Sequence, residues 1–271
     1  MSIVQVPGDG PQFYDVKSVP HGVVRIHPYT SKSMGVNRTV WIYTPPGYEE
    51  GGDYPVFYLI HGAGDIESGW ILIGRANNIL DNLIAEGKAK PMVVVMPLGH
   101  AIQSFWTGPA KNAVITDESA FGGAGSRQEL GAFGRDLIED VMPLIESEYK
   151  VSTKPDDRAI GGLSMGGALT MNVGFNRPDL FRYIVIMSSA GQDADQAYPE
   201  FFSDPEAINR QIKLLWVGVG RDDALVGSRS EELVNLLREK GINHIYRVTE
   251  GRHEWTVWRY HLYEVAPLLF R

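Results

Sequence analysis

One short stretch of the chain carries a serine whose neighbours suggest chemistry. Residues 160–167 read IGGLSMGG, so Ser164 has a glycine two positions before it and two positions after it. The order G-x-S-x-G, after a short apolar run and before a helical pattern, is typical of a nucleophile elbow, a strained turn between a strand and a helix. In such a turn neighbouring backbone comes so close that both glycine positions can scarcely carry a Cβ. We predict that Ser164 is a nucleophile; a flexible loop and a glycine turn used only for packing are the alternatives.

A serine hydroxyl needs a base to accept its proton and a carboxylate to orient that base. In the fold that uses this turn, the chain order is serine, acid, histidine. Three of the seven histidines lie well past Ser164, namely His244, His253 and His261. His244 begins the strand-like run HIYRV, and His261 lies in a predicted amphipathic helix, where a packed histidine is the simpler interpretation. His253 lies in the glycine-containing loop TEGRHEW between a strand and a helix, and we predict that it is the base.

The acid is expected in the loop after the apolar run KLLWVGVG. Asp222 and Asp223 stand side by side there. Adjacent loop residues point in different directions, so only one can orient the base, and periodicity does not choose between them. For either residue the alternative is a solvated turn position.

An oxyanion hole requires backbone N–H groups aimed at the developing negative charge. Met165, directly after the serine, is predicted to supply one of them. The second is expected from the loop HGAGD, which follows the apolar run VFYLI and whose small residues let the backbone bend toward the serine. We therefore predict Ala63 as the second donor. In the same loop His61 and Gly62 fit a plain turn, and His61 precedes the serine, which is the wrong chain order for the base.

Short apolar runs along the chain predict the strands that must position these residues. Four runs are continuously apolar, as strands buried on both faces are: residues 56–60, 92–96, 183–187 and 214–219. Two earlier runs, around Val23–Ile26 and Thr39–Tyr43, also have strand character. Because strands alternate with helical patterns, we predict an α/β-hydrolase fold, with a mostly parallel, doubly wound sheet flanked by helices.

Four segments have apolar residues at helical spacing: 76–86, 130–145, 228–241 and 255–269. Pro143 is expected to kink or restart the last turn of the second segment. The third is expected to begin at Ser228 or Ser230 as N-cap and to close at Gly241. Two further stretches, about 98–128 and 189–212, have the pattern of long irregular loops, which in such a sheet lie where ligands bind.

The composition of the chain limits which functions are possible. The 271 residues are 44% hydrophobic with a formal net charge of −8, which favours a soluble globular protein and no nucleic-acid partner. We expect one domain over residues 1–271, since neither a repeat nor a linker divides the chain. Apolar runs are too short to cross a membrane, and the N-terminus lacks the pattern of a secretory leader. With no cysteine, no H-E-x-x-H and no G-x-G-x-x-G, we expect neither a metal nor another cofactor.

Several stretches together resemble the feruloyl esterases of carbohydrate esterase family one. They are RTVWIYTPPGY, YPVFYLIHGAGD, GRANNILDNLIAEGKAKPMVVVMP, GGLSMGG and EGRHEWTVWR. The likeness, to the esterase modules of bacterial xylanases and the broader esterase D-like group, runs from about residue 20 to the C-terminus. It implies Ser164 as nucleophile, His253 as base, and Ala63 and Met165 as oxyanion donors. The family pattern G-x-x-D-x-L-x-G, here GRDDALVG, implies Asp223 as the acid.

The resemblance also implies a substrate, an ester of ferulic or a related hydroxycinnamic acid on arabinoxylan, hydrolysed through an acyl-enzyme. Because flat acyl groups favour apolar walls, five residues beside the site segments are candidate contacts: Ile66, Trp70, Trp106, Leu225 and Trp255. The stretch 189–212, with Tyr198, Phe201 and Phe202, is a candidate cover over the acyl group. Two departures from the family pattern, the short loop HGAGD and Arg252 before the base, are expected to reshape the pocket mouth.

Other functions fit the same motifs. Within the fold they are an acetyl-xylan esterase, an S-formylglutathione hydrolase, a siderophore esterase and a mycolyltransferase-like acyltransferase. A non-catalytic carbohydrate-binding protein on a hydrolase fold is an alternative of a different class. For an esterase of this kind the partner is a small-molecule or oligosaccharide ester. The resemblance favours an extracellular location if a leader has been removed, and a cytoplasmic one otherwise.

Overall fold

The computed structural model describes residues 12–100, 131–189, 191 and 193–271, which form one eight-stranded sheet with helices on both faces. The strands are β1 (Val23–Ser31), β2 (Val36–Thr44), β3 (Val56–Ile60), β4 (Val93–Pro97), β5 (Arg158–Leu163), β6 (Tyr183–Met187), β7 (Leu214–Gly220) and β8 (Ile245–Thr249). Their order is β1-β2-β4-β3-β5-β6-β7-β8. Strand β2 is antiparallel to β1 and to β4, and all other neighbours are parallel. The predicted α/β fold with a mostly parallel sheet is confirmed.

Helices connect the strands over both faces of the sheet. In the described part of the chain they are α1 (Gly69–Leu72), α2 (Ala76–Ala85), α3 (Ala132–Arg135), α4 (Met142–Glu148), α5 (Met165–Asn176), α6 (Ala194–Ala197), α7 (Pro199–Ser203), α8 (Pro205–Gln211), α9 (Gly227–Glu239) and α10 (Trp255–Val265). Helices α2 and α10 cover one face with Leu83 and Leu262, and α5 and α9 cover the other with Val173 and Leu233. Every residue of β3 to β7 is buried between these two layers.

The helix predicted over 130–145 is wound in separate parts. Its first residue lies outside the described residues, and a π-helical segment, Asp136–Val141, joins α3 to α4. Pro143 lies in the first turn of α4. A proline ring clashes with the carbonyl four residues earlier in a continuous α-helix, whereas the first turn accepts it. The expected kink or restart takes the form of a change from π to α winding just before Pro143, while Val141 and Met142 keep helical dihedrals. The wide π turn had no sequence signal.

Two other predictions about local structure are wrong. Helix α9 begins at Gly227 with Val226 before it, so neither Ser228 nor Ser230 is the N-cap. Residues 194–211, predicted to be irregular, form the three short helices α6 to α8. Each of these is too short to show a helical repeat, although Pro199 and Pro205 occupy first turns, where proline is favoured.

The aromatic residues of the 189–212 stretch belong to the core. Phe201 stacks on Phe175 with ring centroids 4.0 Å apart, and Phe202 and Tyr198 meet the same ring edge-on. Phe175 lies near the C-terminal end of α5, eleven residues after Ser164, which is roughly 16 Å along a helix. In the described residues these rings therefore pack away from the serine and do not cover it.

The sheet brings the predicted site residues to one edge. Ser164 follows β5, and the segments with Ala63, Asp223 and His253 follow β3, β7 and β8. These four strands are parallel, so their carboxyl ends lie at the same edge, where ligands bind in open α/β sheets. Over the residues described, no helix is long and apolar enough to cross a bilayer.

His261 is a buried histidine of α10 and gives a testable pH dependence of stability. Its ring packs against Trp216, and neither ring nitrogen has a hydrogen-bond partner among the described residues. Burial lowers the pKa of His261 from its usual 6.5 to about 3. Between these values the unfolded chain binds a proton that the folded chain does not, so stability falls as the pH falls through this window, by about 1.4 kcal/mol per pH unit.

We therefore expect His261→Leu to lose less stability than the wild type between about pH 7.5 and pH 5. The measurement is urea unfolding at both pH values. His261→Gln is the matched variant, polar but not titratable, and should flatten the pH dependence to the same extent. Parallel curves for the wild type and both variants would contradict the assignment.

Candidate active site

Ser164 occupies a strained backbone position between β5 and α5. Its φ of 52° and ψ of −116° lie where residues other than glycine are rarely found. The Ser164 N–H donates to the carbonyl of Met187 over 2.8 Å, and its own carbonyl accepts from Gly167 over 3.0 Å. These bonds tie the turn to strand β6 and to the first turn of the helix. The strained conformation is the one that the elbow motif predicts.

The glycines around the serine make room for close backbone contacts. A Cβ on Gly162 would lie 2.5 Å from the carbonyl oxygen of Gly166. A Cβ on Gly166 would lie 2.5 Å from the carbonyl oxygen of Ile60 on the neighbouring strand. Neither backbone can yield easily, so any larger residue would push β3, β5 and α5 apart. Close backbone contacts at this turn therefore require glycine at both positions, as the elbow motif predicts.

His253 is brought to the serine from the loop after β8. Its Nε2 lies 2.9 Å from Ser164 Oγ, and its Nδ1 lies 2.8 Å from Asp223 Oδ2. With a proton on Nδ1, the ring donates to the carboxylate and accepts from the serine hydroxyl. The ring also packs edge-on against Trp258 of α10, with centroids 5.0 Å apart. Both hydrogen bonds and the indole fix the orientation of the imidazole.

Asp223 and not Asp222 faces the histidine. The Asp223 side chain has no exposed surface, whereas Asp222 is exposed. Asp223 Oδ1 accepts from the N–H groups of Leu225 and Val226, each over 3.1 Å, which leaves Oδ2 for His253. Of the two residues that periodicity left open, Asp223 is therefore the one within hydrogen-bond distance of His253; its role as the acid, which the resemblance implies, remains a prediction.

Replacing Asp223 by asparagine should separate the roles of these two carboxylates. An amide in place of the carboxylate favours the wrong tautomer of His253 and no longer stabilises its cation, so we expect kcat for ester hydrolysis to fall about 10⁴-fold. Asp222→Asn is the matched control and should change kcat less than about threefold, because its side chain is solvated. Steady-state kinetics on one aryl ester provide the test. Equal losses in both variants, or an unchanged Asp223→Asn, would rule out this acid.

The two predicted oxyanion donors come from adjacent elements. Ala63 follows β3 and Met165 begins α5, and the register pairs Ile60 with Gly162, so the two segments leave neighbouring strands. A Cβ on Gly62 would lie 3.6 Å from the Cβ of Ser164, which places this loop beside the serine. Within the described part of the chain, neither the Ala63 nor the Met165 N–H has an acceptor. Their role as oxyanion donors remains a prediction.

The candidate substrate contacts differ in how much surface they expose. Trp255 is half-buried and meets Trp70 edge-on at 5.1 Å. Trp70 itself is fully buried and donates its indole N–H to the Ile60 carbonyl, so it offers no surface to a ligand and instead supports Trp255. Ile66 and Leu225 are 39% and 63% exposed, on the loops that carry Ala63 and Asp223. Trp106 lies outside the described residues.

The contacts of His61 were not predicted from the sequence. This residue, interpreted as part of a plain turn, is 1% exposed and uses both ring nitrogens. Burial lowers its pKa to about 3. A histidine directly after a continuously buried strand was the available signal.

Arg252 is one of the two departures from the family pattern. Its side chain is exposed, and the positive φ that this loop requires falls on the preceding residue, Gly251, at +116°.

The assembled groups fit acyl transfer. A hydroxyl, an imidazole and a carboxylate form one hydrogen-bonded chain, and two backbone N–H groups lie on the segments beside the hydroxyl. This set can deprotonate a serine, stabilise a tetrahedral oxyanion and protonate a leaving group. In the described residues no group of three or more His, Asp or Glu side chains is arranged to hold a metal ion.

The chain matches one protein family and a curated relative over most of its length. The profile of the family described as "Putative esterase" matches residues 31–269. An "Endo-1,4-beta-xylanase/feruloyl esterase" of Xylanibacter ruminicola is 32% identical over 275 residues, covering 99% of this chain and 34% of the relative. The chain thus spans about a third of the length of that curated relative.

Solved structures share the fold. A CE1 ferulic acid esterase from Anaeromyces mucronatus, in complex with ferulic acid, has a TM-score of 0.77 and 25% identity, covering 99% of this chain and 98% of that one. An S-formylglutathione hydrolase from Staphylococcus aureus has a TM-score of 0.69 and 18% identity, covering 94% and 99% of the two chains. At that identity the second likeness speaks for the fold alone.

Proposed function

The chain belongs to the esterase family whose profile matches residues 31–269, and on that premise we propose that it hydrolyses hydroxycinnamate esters of plant polysaccharide through Ser164, His253 and Asp223. The observation that carries the proposal is the continuous chain of contacts from Ser164 Oγ to His253 and on to Asp223, at 2.9 and 2.8 Å. Hydrogen-bond distances in this order are the geometry of an activated serine. Residues 1–271 act in this proposal as one esterase domain.

Catalysis begins with acylation of the enzyme. Ser164 Oγ attacks the ester carbonyl carbon while His253 Nε2 takes its proton, and the carbonyl oxygen becomes an oxyanion held by the Ala63 and Met165 N–H groups. Asp223 keeps the imidazole in the required tautomer and stabilises its cationic form. Collapse of the tetrahedral intermediate breaks the ester C–O bond, and His253 gives its proton to the departing alcohol.

Deacylation repeats the chemistry with water. His253 takes a proton from a water molecule that attacks the acyl carbon, and the same N–H groups hold the second oxyanion. The intermediate then collapses, the free acid leaves, and Ser164 recovers its proton from His253. Both halves use one base and one oxyanion hole, so no further reagent is required.

Three observations support a flat aromatic acyl group. Trp255 is half-buried at the start of α10, two residues after the base, and meets Trp70 and Trp258 edge-on at 5.1 and 5.4 Å. Ile66 and Leu225 expose apolar surface from the neighbouring loops. In addition, a relative that is 32% identical carries feruloyl esterase in its name, and a structural neighbour was solved with ferulic acid. Arabinoxylan lies outside cells, so we propose that the enzyme acts there.

A substrate panel tests the proposal. It compares kcat/KM for methyl ferulate with values for an acetylated xylan and S-formylglutathione, and analyses products when an oligosaccharide acceptor is added. We expect methyl ferulate to be preferred by at least about tenfold, a difference of about 1.4 kcal/mol in transition-state binding, with free ferulic acid as the product. Preference for either other ester, or transfer of the acyl group to the acceptor, would replace this function by an acetyl esterase, a thioester hydrolase or an acyltransferase.

A further inference from the structure

His61 joins the two loops that leave adjacent strands β3 and β4. Its Nδ1 lies 2.8 Å from the carbonyl oxygen of Gly62, and its Nε2 lies 2.9 Å from the backbone nitrogen of Gly99. A carbonyl can only accept and an amide N–H can only donate. The ring therefore carries its proton on Nδ1 and accepts at Nε2, and only the neutral imidazole makes both bonds.

The bond to Gly62 fixes a peptide that matters for chemistry. The Gly62 carbonyl and the Ala63 N–H belong to the same planar trans peptide, so they point in opposite directions. The Gly62 oxygen accepts from His61 Nδ1 and also from the Asp65 N–H, over 3.1 Å. With the carbonyl held from two sides, the direction of the Ala63 N–H is set.

The other end of the ring bonds to a segment that lies against the Met165 side chain. The Gly99 backbone, which donates to His61 Nε2, also lies against Met165, because a Cβ on Gly99 would come within 3.0 Å of Met165 Cε. Arg38 donates to the carbonyl of Leu98, the preceding residue. Segment 98–99 is therefore held by Arg38, and the bond from Gly99 to His61 links this segment to the loop that carries Ala63.

We propose that His61 is a positioning residue, which aims the Ala63 N–H at the oxyanion by holding the carbonyl of the same peptide. The inference rests on the proposed function, in which Ala63 is an oxyanion donor. His61 does not touch the substrate and moves no proton in this proposal. Burial lowers the pKa of His61 to about 3, so the ring is neutral at neutral pH.

Two substitutions separate the two ends of the ring. The amide of asparagine occupies about the position of imidazole Nδ1, so His61→Asn retains a donor for the Gly62 carbonyl. The amide of glutamine reaches about the position of Nε2, so His61→Gln retains an acceptor for the Gly99 N–H and loses the donor to Gly62. If His61 only fills space, glutamine, which is nearer in size, should be the milder change.

The proposal predicts the opposite order. For methyl ferulate, we expect His61→Gln to lower kcat about 100-fold with KM changed less than about threefold, because an oxyanion donor acts mainly in the transition state. We expect His61→Asn to keep kcat within about tenfold of the wild type. Equal losses in both variants, a milder effect of glutamine, or a change confined to KM would overturn the proposal.

Two further measurements keep the outcome clear. Ser164→Ala is assayed alongside: if it is inactive while His61→Gln keeps full kcat, only the His61 inference fails, and if it is active, the proposed function fails and the inference falls with it. Should either His61 variant not fold, as judged by circular dichroism, nitrogen-15 NMR of the wild type decides. A proton on His61 Nδ1 between about pH 5 and 8 is expected, and a proton on Nε2 would overturn the proposal.

Discussion

Replacement of Ser164 by alanine is expected to lower kcat for hydrolysis of an aryl hydroxycinnamate about 10⁶-fold, or roughly 8 kcal/mol in activation free energy, without loss of the fold. The size of the effect follows from the proposed role of the hydroxyl, which forms the covalent intermediate. The residual rate should reflect only substrate binding and the oxyanion hole. Steady-state kinetics and thermal unfolding of the purified variant provide the measurements.

Ser188→Ala is the matched control for this variant. Ser188 follows β6, next to the turn of Ser164; like Ser164 it has a positive φ, here 44°, but it is fully buried, whereas Ser164 is half-buried. Its hydroxyl has no hydrogen-bond partner among the described residues, so its removal should cost little stability and change kcat less than about threefold. If Ser164→Ala retained more than about one hundredth of wild-type activity, Ser164 would not be the nucleophile.

Replacement of His253 by alanine is expected to cost about as much as loss of the serine, again about 10⁶-fold in kcat. Without the imidazole the serine keeps its proton, and the leaving alcohol has no acid to protonate it. The variant should also lose roughly 1–3 kcal/mol of stability, because Oδ2 of the fully buried Asp223 carboxylate loses its partner.

The sharper result is expected from the double variant. Since Ser164 and His253 act as one unit, Ser164→Ala combined with His253→Ala should be no slower than either single variant, within about threefold. His244→Ala serves as the histidine control, since among the described residues its Nδ1 bonds only to the carbonyl of Ile242, two residues earlier. The 2.9 Å distance between His253 Nε2 and Ser164 Oγ predicts that the two residues act together. Additive losses in the double variant would show that they act independently and would contradict the proposal.

The sequence was informative where chemistry requires a residue type and poor where contacts join distant segments. Glycines at 162 and 166 had to accompany Ser164, because backbone atoms approach where their Cβ atoms would lie. The order of serine, acid and histidine then led to His253. In contrast, periodicity does not distinguish Asp222 from Asp223. The structure does, because Asp223 is buried, accepts two N–H bonds at Oδ1 and faces His253 through Oδ2.

The same limit explains what was missed in the fold. Buried strands gave clear runs, because both faces of β3 to β7 are covered. Helices α6 to α8 are shorter than two turns, so periodicity had nothing to detect. The contacts of His61 with Gly62 and Gly99 form because two loops lie side by side at the sheet edge, and a local sequence pattern does not predict which loops do so.

The central claim, that Ser164 carries the acyl group, is tested most directly by trapping the intermediate. The wild-type enzyme is mixed with 4-nitrophenyl ferulate, whose good leaving group makes deacylation rate-limiting, and is quenched in acid within the burst of 4-nitrophenol. Mass spectrometry of the digested protein then locates the acyl group. We expect a feruloyl ester on the peptide that contains Ser164, with close to one acyl group per enzyme. A feruloyl group on another residue, or a full burst without any acylated peptide, would contradict the account.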